Sequence, residues 1–317
     1  MKTCIITGAT GYIGSHVLKY LLRKGWNIHI VTRHESSYTN VADVLSQIHV
    51  FEYDGNIHNL IAYFQQANAK VVFHLAAAVI TNNQPEQIPV LIQSNIQFYT
   101  EVLEAMCHCD TRQFVGTGTY WQNYNSTTYN PVDLYAATKE ASEKILQYYV
   151  DAHHFRAITL RLFDVYGEDD KRPKLWNLLR DIAGTEKMID VSPGEQYLDL
   201  VHISDVCTAY EAAFNLLDSD LSVKNEVYGV STGELHTLKE IISFFQSVLG
   251  KTIHVNFGKR PYKEREVMKP MREYKILPNW QADKQIFNML NKVIGGGGKL
   301  GFIIPLTPSL ELERRVA

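Results

Sequence analysis

Tyr135 and Lys139 stand one helical turn apart in Leu134-Tyr-Ala-Ala-Thr-Lys139, so their side chains share a helix face. A tyrosine hydroxyl titrates near 10, too high for a base at neutral pH, but a cation within about 4–6 Å typically lowers such a pKa by roughly 1–3 units. The pair is therefore equipped to move a proton to or from an oxygen atom. Spacing alone is weak evidence, because Tyr20 and Lys24 repeat it in the first helix, where two surface residues one turn apart explain it. Tyr135 differs in its context. Thr117-Gly118-Thr119 ends an apolar strand just upstream, and open α/β sheets build their sites at the C-terminal ends of strands.

The other half of the chemistry lies near the N-terminus. There Cys4-Ile-Ile-Thr-Gly8-Ala-Thr-Gly11-Tyr-Ile-Gly14 runs an apolar strand into a glycine turn and a helix. The first glycine makes the tight turn, the second lets backbone approach a pyrophosphate, and the third lets helix pack on strand. The N–H groups that open the helix point at the same negative charge. A dinucleotide site followed by a Tyr/Lys pair describes an oxidoreductase-type active site, which neither half does alone.

Strand-like apolar runs at Thr3–Thr7, Asn27–Thr32, His49–Tyr53, Val71–Leu75, Gln113–Thr117 and Ala157–Leu162 must position these residues. They alternate with helical patterns such as Ser15–Lys24, Ile88–Cys107 and Pro131–His153. The alternation predicts an α/β fold, a Rossmann-like doubly wound parallel sheet with a smaller C-terminal substrate-binding region. Residues 1–167 read as the NAD(P)-binding domain, completed by about 196–232, and residues 168–195 and 233–294 as the substrate-binding region. Glu168 to Pro173 reads as a loop and Asn225–Val230 as a strand. Thr237-Leu-Lys-Glu240 has the capping-box pattern of a helix start, and Gly250 ends that helix. Four consecutive glycines, Gly295 to Gly298, cannot hold a helix and predict a flexible tail over residues 295–317.

Bulk properties narrow the partners. The 317 residues are enough for a well-buried core, and 45% apolar with 21% charged residues is the composition of a soluble globular protein. A net charge of −3 without a dense Lys/Arg run argues against nucleic acid. No apolar stretch reaches membrane-spanning length and the first strand starts almost at Met1, so a cytoplasmic protein with no membrane partner is expected. Cys107 and Cys109 flank His108, but neighbouring residues at a helix end point apart and no second ligand pair of zinc spacing exists. No metal site is expected.

Further motifs follow in order: Asp54 after the third strand, His74-Leu-Ala-Ala77, Asn95, Thr119, Arg161-Leu-Phe-Asp-Val-Tyr-Gly167, and Asn279-Trp280. With Gly8 to Gly14 and Tyr135/Lys139, this series resembles the extended short-chain dehydrogenase/reductase family over roughly residues 1–290. Within that family it resembles the nucleotide-sugar epimerases, dehydratases and 4-ketoreductases, and most nearly the CDP-3,6-dideoxyhexose synthases of the abequose and paratose kind. The resemblance implies Thr119, Tyr135 and Lys139 as catalytic residues. Thr119 and Tyr135 hold the substrate oxygen while hydride moves, and Lys139 also bonds the nicotinamide ribose. Thr117 is the alternative hydroxyl partner. The cofactor would lie along Gly8, Gly11, Tyr12, Ile13 and Gly14, then Arg33, Asp54, Gly55, Leu75, Ala76 and Ala77, and finally Asn95, Thr117, Tyr135, Lys139, Phe163 and Val165.

Departures from the family pattern sharpen the expectation. In the 4,6-dehydratases an Asp-Glu acid/base pair follows the hydroxyl residue. Here Tyr120-Trp121 follows Thr119, which disfavours dehydration. Asp164 stands where family members often have Asn, and Leu198 replaces the usual Arg of an Arg-Asp-Phe segment. NAD enzymes usually carry an acid at the end of the second strand, whereas Ile30-Val-Thr-Arg33-His34 has none. Arg33 suits a 2′-phosphate through charge-assisted, often bidentate bonds, so NADP (NADPH) is expected over NAD; the alternative leaves Arg33 solvated and gives the ribose to Glu35. On the substrate side Thr119, Asp164, Arg260 and Arg265 are the expected contacts, among cations that include Lys174 and Lys263.

The sequence thus points to an NADPH-dependent reductase of a 4-keto nucleotide sugar in deoxyhexose biosynthesis for surface polysaccharide. An NAD(P)-dependent nucleotide-sugar epimerase is the alternative, and a non-catalytic NADP-sensing protein a second one. The helices Ile88–Cys107 and Pro131–His153 are where the family often builds a homodimer.

Overall fold

The computed structural model describes residues 2–282 apart from Pro173 and Arg272, so the glycine run and the expected tail at 295–317 lie outside the described residues. In chain order the elements of the first half are β1 (Thr3–Thr7), α1 (Tyr12–Arg23), β2 (Asn27–Arg33), β3 (His49–Tyr53), α2 (Ile57–Ala67) and β4 (Val71–His74). There follow α3 (Ile88–Ile92), a π-turn (Gln93–Gln97), α4 (Phe98–Cys107), β5 (Gln113–Thr119), α5 (Leu134–His153), β6 (Arg156–Leu162) and β7 (Asp164–Tyr166). The remainder comprises α6 (Leu175–Ile182), β8 (Met188–Asp190), β9 (Tyr197–Leu198), β10 (Leu200–His202), α7 (Ile203–Ser219), β11 (Asn225–Val230), β12 (His236–Thr237), α8 (Leu238–Leu249) and β13 (His254–Asn256).

Seven strands form one sheet in the order β3-β2-β1-β4-β5-β6-β11, all paired in parallel. Parallel strands covered on both faces alternate their side chains between two cores. Cys4, Ile6, Val71, Phe73 and Val115 face one core with α1 and α7 residues such as Leu18 and Phe214. Ile5, Val72 and Phe114 face the other, with α2, α4 and α5 supplying Phe64, Val102 and Leu146. The order reverses between β1 and β4, which leaves a crevice at their C-terminal ends. A separate cluster gathers Leu179, Ile182, Ile189, Ile241, Ile242 and Phe245 from α6, β8 and α8.

The sequence pattern and the structure differ at element ends. Helix α1 begins at Tyr12 with Gly11 as N-cap, three residues before the apolar period suggests. Helix α5 begins at Leu134, where Asp133 caps it by accepting the Ala136 N–H at 2.8 Å. The expected single helix Ile88–Cys107 is interrupted by the π-turn at Gln93–Gln97. A π-turn leaves a carbonyl outside the usual ladder, and Ser142 of α5 donates to that of Asn95. Asn279 takes a positive φ of 57°, which Asn tolerates, and the next residue, Trp280, donates from Nε1 to Thr208 Oγ1 on α7 at 3.0 Å.

Candidate active site

The glycine turn is built as its spacing requires. Gly8 has φ +71°, and a Cβ there would lie 2.5 Å from the Ala76 nitrogen. A Cβ at Gly14 would overlap the Gly8 carbonyl, so only glycine lets α1 pack this closely on the turn. No side chain caps α1 and no acidic residue stands in its first turn, which leaves its first N–H groups for an outside anion. Thr7 secures the opposite wall: its carbonyl accepts the Leu75 N–H at 3.1 Å and its hydroxyl accepts the Ala76 N–H at 3.3 Å.

A cavity of about 530 Å³ opens from this turn, lined by Gly8 and Gly11, by Leu75, Ala76 and Ala77, and by Arg33 and Gly55. Its far end holds Tyr53 and Glu101, joined at 3.1 Å, with Gln97 donating to the other Glu101 oxygen at 2.9 Å. Arg33 is exposed at the tip of β2. Behind it the chain turns tightly: the Ser36 hydroxyl accepts the Arg33 N–H at 3.0 Å, and the Ser36 N–H returns to the Arg33 carbonyl at 3.0 Å. His34 pairs with Glu52. Asp54 lies beside the cavity with its two oxygens engaged by the Asn56 N–H at 2.9 Å and the Asn59 amide at 2.7 Å. Ser36, Tyr53, Gln97 and Glu101 carried no sequence signal, because no short motif brings β2, β3 and α4 together.

The catalytic candidates converge from β5 and α5. Lys139 is 2% exposed and Tyr135 9%, and neither the phenol hydroxyl nor the ammonium bonds a described residue. Burial pulls Lys139 down to about 8, opposed by the charge of Glu143. Burial, and then the charge of Asp133, push Tyr135 above its ordinary value. The lowering expected of Tyr135 from its lysine is therefore outweighed, and its proton is held at neutral pH. His74, fully buried, is kept neutral by burial and by the Lys139 charge.

Thr119 is 8% exposed, and its Oγ1 accepts the Trp121 N–H at 3.3 Å, which leaves its own O–H free to donate. Thr117 is committed elsewhere, donating to the His74 carbonyl at 2.7 Å and lying 2.6 Å from the Tyr210 hydroxyl. Of the two hydroxyls, that of Thr119 keeps its proton free to donate and that of Thr117 does not. Asn95 works through its neighbours. Its side chain accepts the Ala78 N–H at 2.7 Å and donates to the Ala78 carbonyl at 3.0 Å and Thr138 Oγ1 at 2.9 Å. It ties the loop after β4 to the helix of Tyr135. The other Tyr/Lys pair is a surface feature: Tyr20 donates to Glu211 of α7, and Lys24 lies 3.8 Å from the same carboxylate.

Among the residues expected to contact substrate, Asp164 accepts from the Tyr120 hydroxyl at 3.0 Å, and burial, offset in part by the Lys174 charge, raises its pKa. Lys174 donates to the Val165 carbonyl at 3.4 Å, and Phe163 stacks on Tyr120 with ring centroids 4.7 Å apart. Arg265 donates to Asn130 and covers the Tyr124 ring at 4.5 Å, so it braces the loop between Trp121 and Asp133. Its Nε is buried without a partner. Arg260 is exposed, and its backbone N–H donates to Val191 at 3.1 Å. Beside Leu198, Asp199 is fully buried and staples β10 to the turn after β11, accepting from Thr232 Oγ1 at 2.7 Å and Thr232 N–H at 2.9 Å.

A glycine cradle, an uncapped helix N-terminus and a buried Tyr/Lys pair agree with the family model that matches residues 4–230, "NAD dependent epimerase/dehydratase family". The chain belongs to that family. Its enzyme class is an NAD(P)-dependent oxidoreductase or epimerase of the extended short-chain dehydrogenase/reductase type. Among curated proteins it is similar to a CDP-abequose synthase of Yersinia pseudotuberculosis, 26% identical over 86% of this chain and 92% of that one. Another, from Salmonella muenchen, is 25% identical over 92% and 97%. Among solved structures, a Stenotrophomonas maltophila UDP-glucose 4-epimerase with bound NAD superposes with a TM-score of 0.81 at 18% identity, covering 93% of this chain and 98% of that one. That likeness is one of fold. Among the described residues no helix is long and apolar enough to cross a membrane.

Proposed function

We propose that the protein is an NADPH-dependent reductase of a 4-keto nucleotide sugar, serving deoxyhexose biosynthesis for surface polysaccharide in the cytoplasm. The observation that carries this reading is the pair after Thr119. Tyr120 and Trp121 occupy the positions of a dehydratase's acid pair, and the Tyr120 hydroxyl is spent on Asp164. What remains is the machinery for hydride transfer alone. Bound NADPH would supply the hydride. Gly8, Gly11 and the start of α1 would hold its pyrophosphate, and Arg33 its 2′-phosphate. The Thr119 hydroxyl would donate to the substrate carbonyl oxygen and Tyr135 would give its proton as the alkoxide forms, a step worth about 10²–10⁴-fold. The buried Lys139 would bond the nicotinamide ribose and stabilise the phenolate left behind.

The relatives named CDP-abequose synthase support a CDP-sugar as the first substrate to test, with Asp164, Lys174, Arg260 and Arg265 on its side of the crevice. The smaller body around α6, α8 and β8 would complete that side. The fold likeness to a UDP-glucose 4-epimerase favours epimerisation as the second reading, in which the hydride returns to the sugar. A screen of 4-keto CDP-, dTDP-, UDP- and GDP-sugars, following loss of NADPH absorbance, separates the two. Stoichiometric NADPH oxidation with one of them is expected; a sugar epimerised without net oxidation overturns the reductase. A homodimer through α3, α4 and α5 belongs to the same reading, supported by Ile92 at 40% and Tyr148 at 60% exposure. Light scattering at twice the monomer mass is its test.

A further inference from the structure

Beneath Thr119 and Lys139 lies a buried polar cluster that the proposed chemistry does not use. Gln122 is fully buried, and its Oε1 accepts the Thr119 backbone N–H at 2.9 Å. Its Nε2 donates to Glu140 Oε2 at 2.7 Å and to Glu143 Oε1 at 2.8 Å. One Arg161 nitrogen serves both carboxylates, at 3.0 Å for Glu140 and 2.7 Å for Glu143. A Cβ at Gly118 would stand 2.8 Å from both Gln122 Oε1 and Glu143 Oε1, so β5 is shaped to admit these groups. Arg161 carries one charge between the two carboxylates, and the exposed Lys144 meets the outer oxygen of Glu140 at 3.2 Å. The carboxamide satisfies the rest and carries the connection to the strand of Thr119. Glu143 lies one turn beyond Lys139 on the same face of α5.

We propose that Gln122 and Glu143 form one positioning unit, in which Gln122 fixes the Thr119 backbone to Glu143 and Glu143 supplies the negative charge that faces Lys139. The unit aligns two residues that arrive on different elements. It rests on the reading of Thr119 and Lys139 as catalytic. The groups around Lys139 are Tyr135 and Glu143 on its own helix, the neutral His74 of β4, and the Tyr99 ring of α4 at 6.0 Å. Glu143 is the anion that opposes the fall of Lys139 to about 8.

The first test needs only protein and cofactor. NADPH affinity of the intact enzyme, read by fluorescence, is expected to weaken as pH rises through about 8, where Lys139 loses its charge. In Glu143→Gln, which keeps the shape of the side chain, that alkaline limb moves down by about one pH unit. The second test reads turnover with the 4-keto sugar. Gln122→Glu retains the acceptor for Thr119 but loses the donor while ionised, so kcat falls by about tenfold or more at pH 8 with KM unchanged. At pH 6 turnover recovers, because a carboxyl placed between two carboxylates takes up a proton and donates again. Lys144→Met, which removes the 76% exposed partner of Glu140, leaves both profiles as they are. An unmoved alkaline limb in Glu143→Gln, or a Gln122→Glu enzyme with the wild-type pH dependence, overturns the proposal. Failure of the catalytic reading shows separately, as full turnover by Tyr135→Phe.

Discussion

Replacing Lys139 by methionine is expected to stabilise the protein while abolishing its activity. Lys139 is 2% exposed, and burial pulls its pKa from 10.5 to about 8. Each unit corresponds to about 1.4 kcal/mol, so carrying this cation destabilises the folded state by about 3 kcal/mol at pH 7. The sign follows from proton binding. Between pH 8 and 10.5 the unfolded chain holds a proton that the folded protein has lost, so this contribution to stability rises with pH across that window. The destabilisation is complete below about 8 and gone above 10.5. Lys139→Met substitutes an unbranched apolar chain for the cation, and urea unfolding without cofactor should show a gain of about 3 kcal/mol at pH 7. By pH 9.5 most of that gain should have disappeared, while turnover stays lost at both pH values. A variant less stable than wild type at pH 7, or a gain that does not change with pH, refutes the assignment of a buried, strained ammonium at this position.

Arg33→Ala is expected to weaken NADPH binding by about 2–3 kcal/mol through loss of a charge-assisted phosphate contact, with NADH affinity little changed; fluorescence titration of both cofactors checks it, and equal losses make Arg33 structural. Gly14→Ala places a Cβ on the Gly8 carbonyl and should destabilise by about 1–3 kcal/mol while lowering affinity for either cofactor, measured by thermal melts with and without NADPH. Nucleotide hexoses incubated with catalytic NAD should yield no 4-keto-6-deoxy product, because Tyr120 and Trp121 cannot take the protonation roles of two carboxylates; robust formation of that product removes the argument from the missing acid pair.

The fold was legible because its signals are local. Each strand of the first half is a short apolar run, and Gly8, Gly11 and Gly14 mark the one turn where backbone must approach backbone. Helix starts depart from the apolar period because caps set them, as Gly11 and Asp133 do. The interruption at Gln93–Gln97 was not legible, since it depends on Asn95 reaching Ala78 and Ser142 across two other elements. The Thr119, Tyr135 and Lys139 positions stood out through motif order, but their electrostatics did not. A cation one turn away suggested a lowered tyrosine, whereas burial proves the larger influence. Gln122 did leave a trace: Thr119 and Gln122 have the capping-box spacing, yet the two carboxylates it serves are distant in sequence. Arg265, expected on the substrate, holds the loop that carries Tyr124 and Asn130.

The most direct test of the account is the turnover of Tyr135→Phe, compared with Tyr20→Phe, on a 4-keto nucleotide sugar that the wild-type enzyme reduces. Tyr135→Phe removes one hydroxyl that bonds no described residue, so folding and NADPH affinity should stay near wild type. Without the proton donor, kcat should fall by about 10²-fold or more, whereas Tyr20→Phe, which removes a hydroxyl bonded to Glu211 on α7, should turn over normally. A Tyr135→Phe enzyme that oxidises NADPH at close to the wild-type rate would contradict the central claim that this phenol carries the proton.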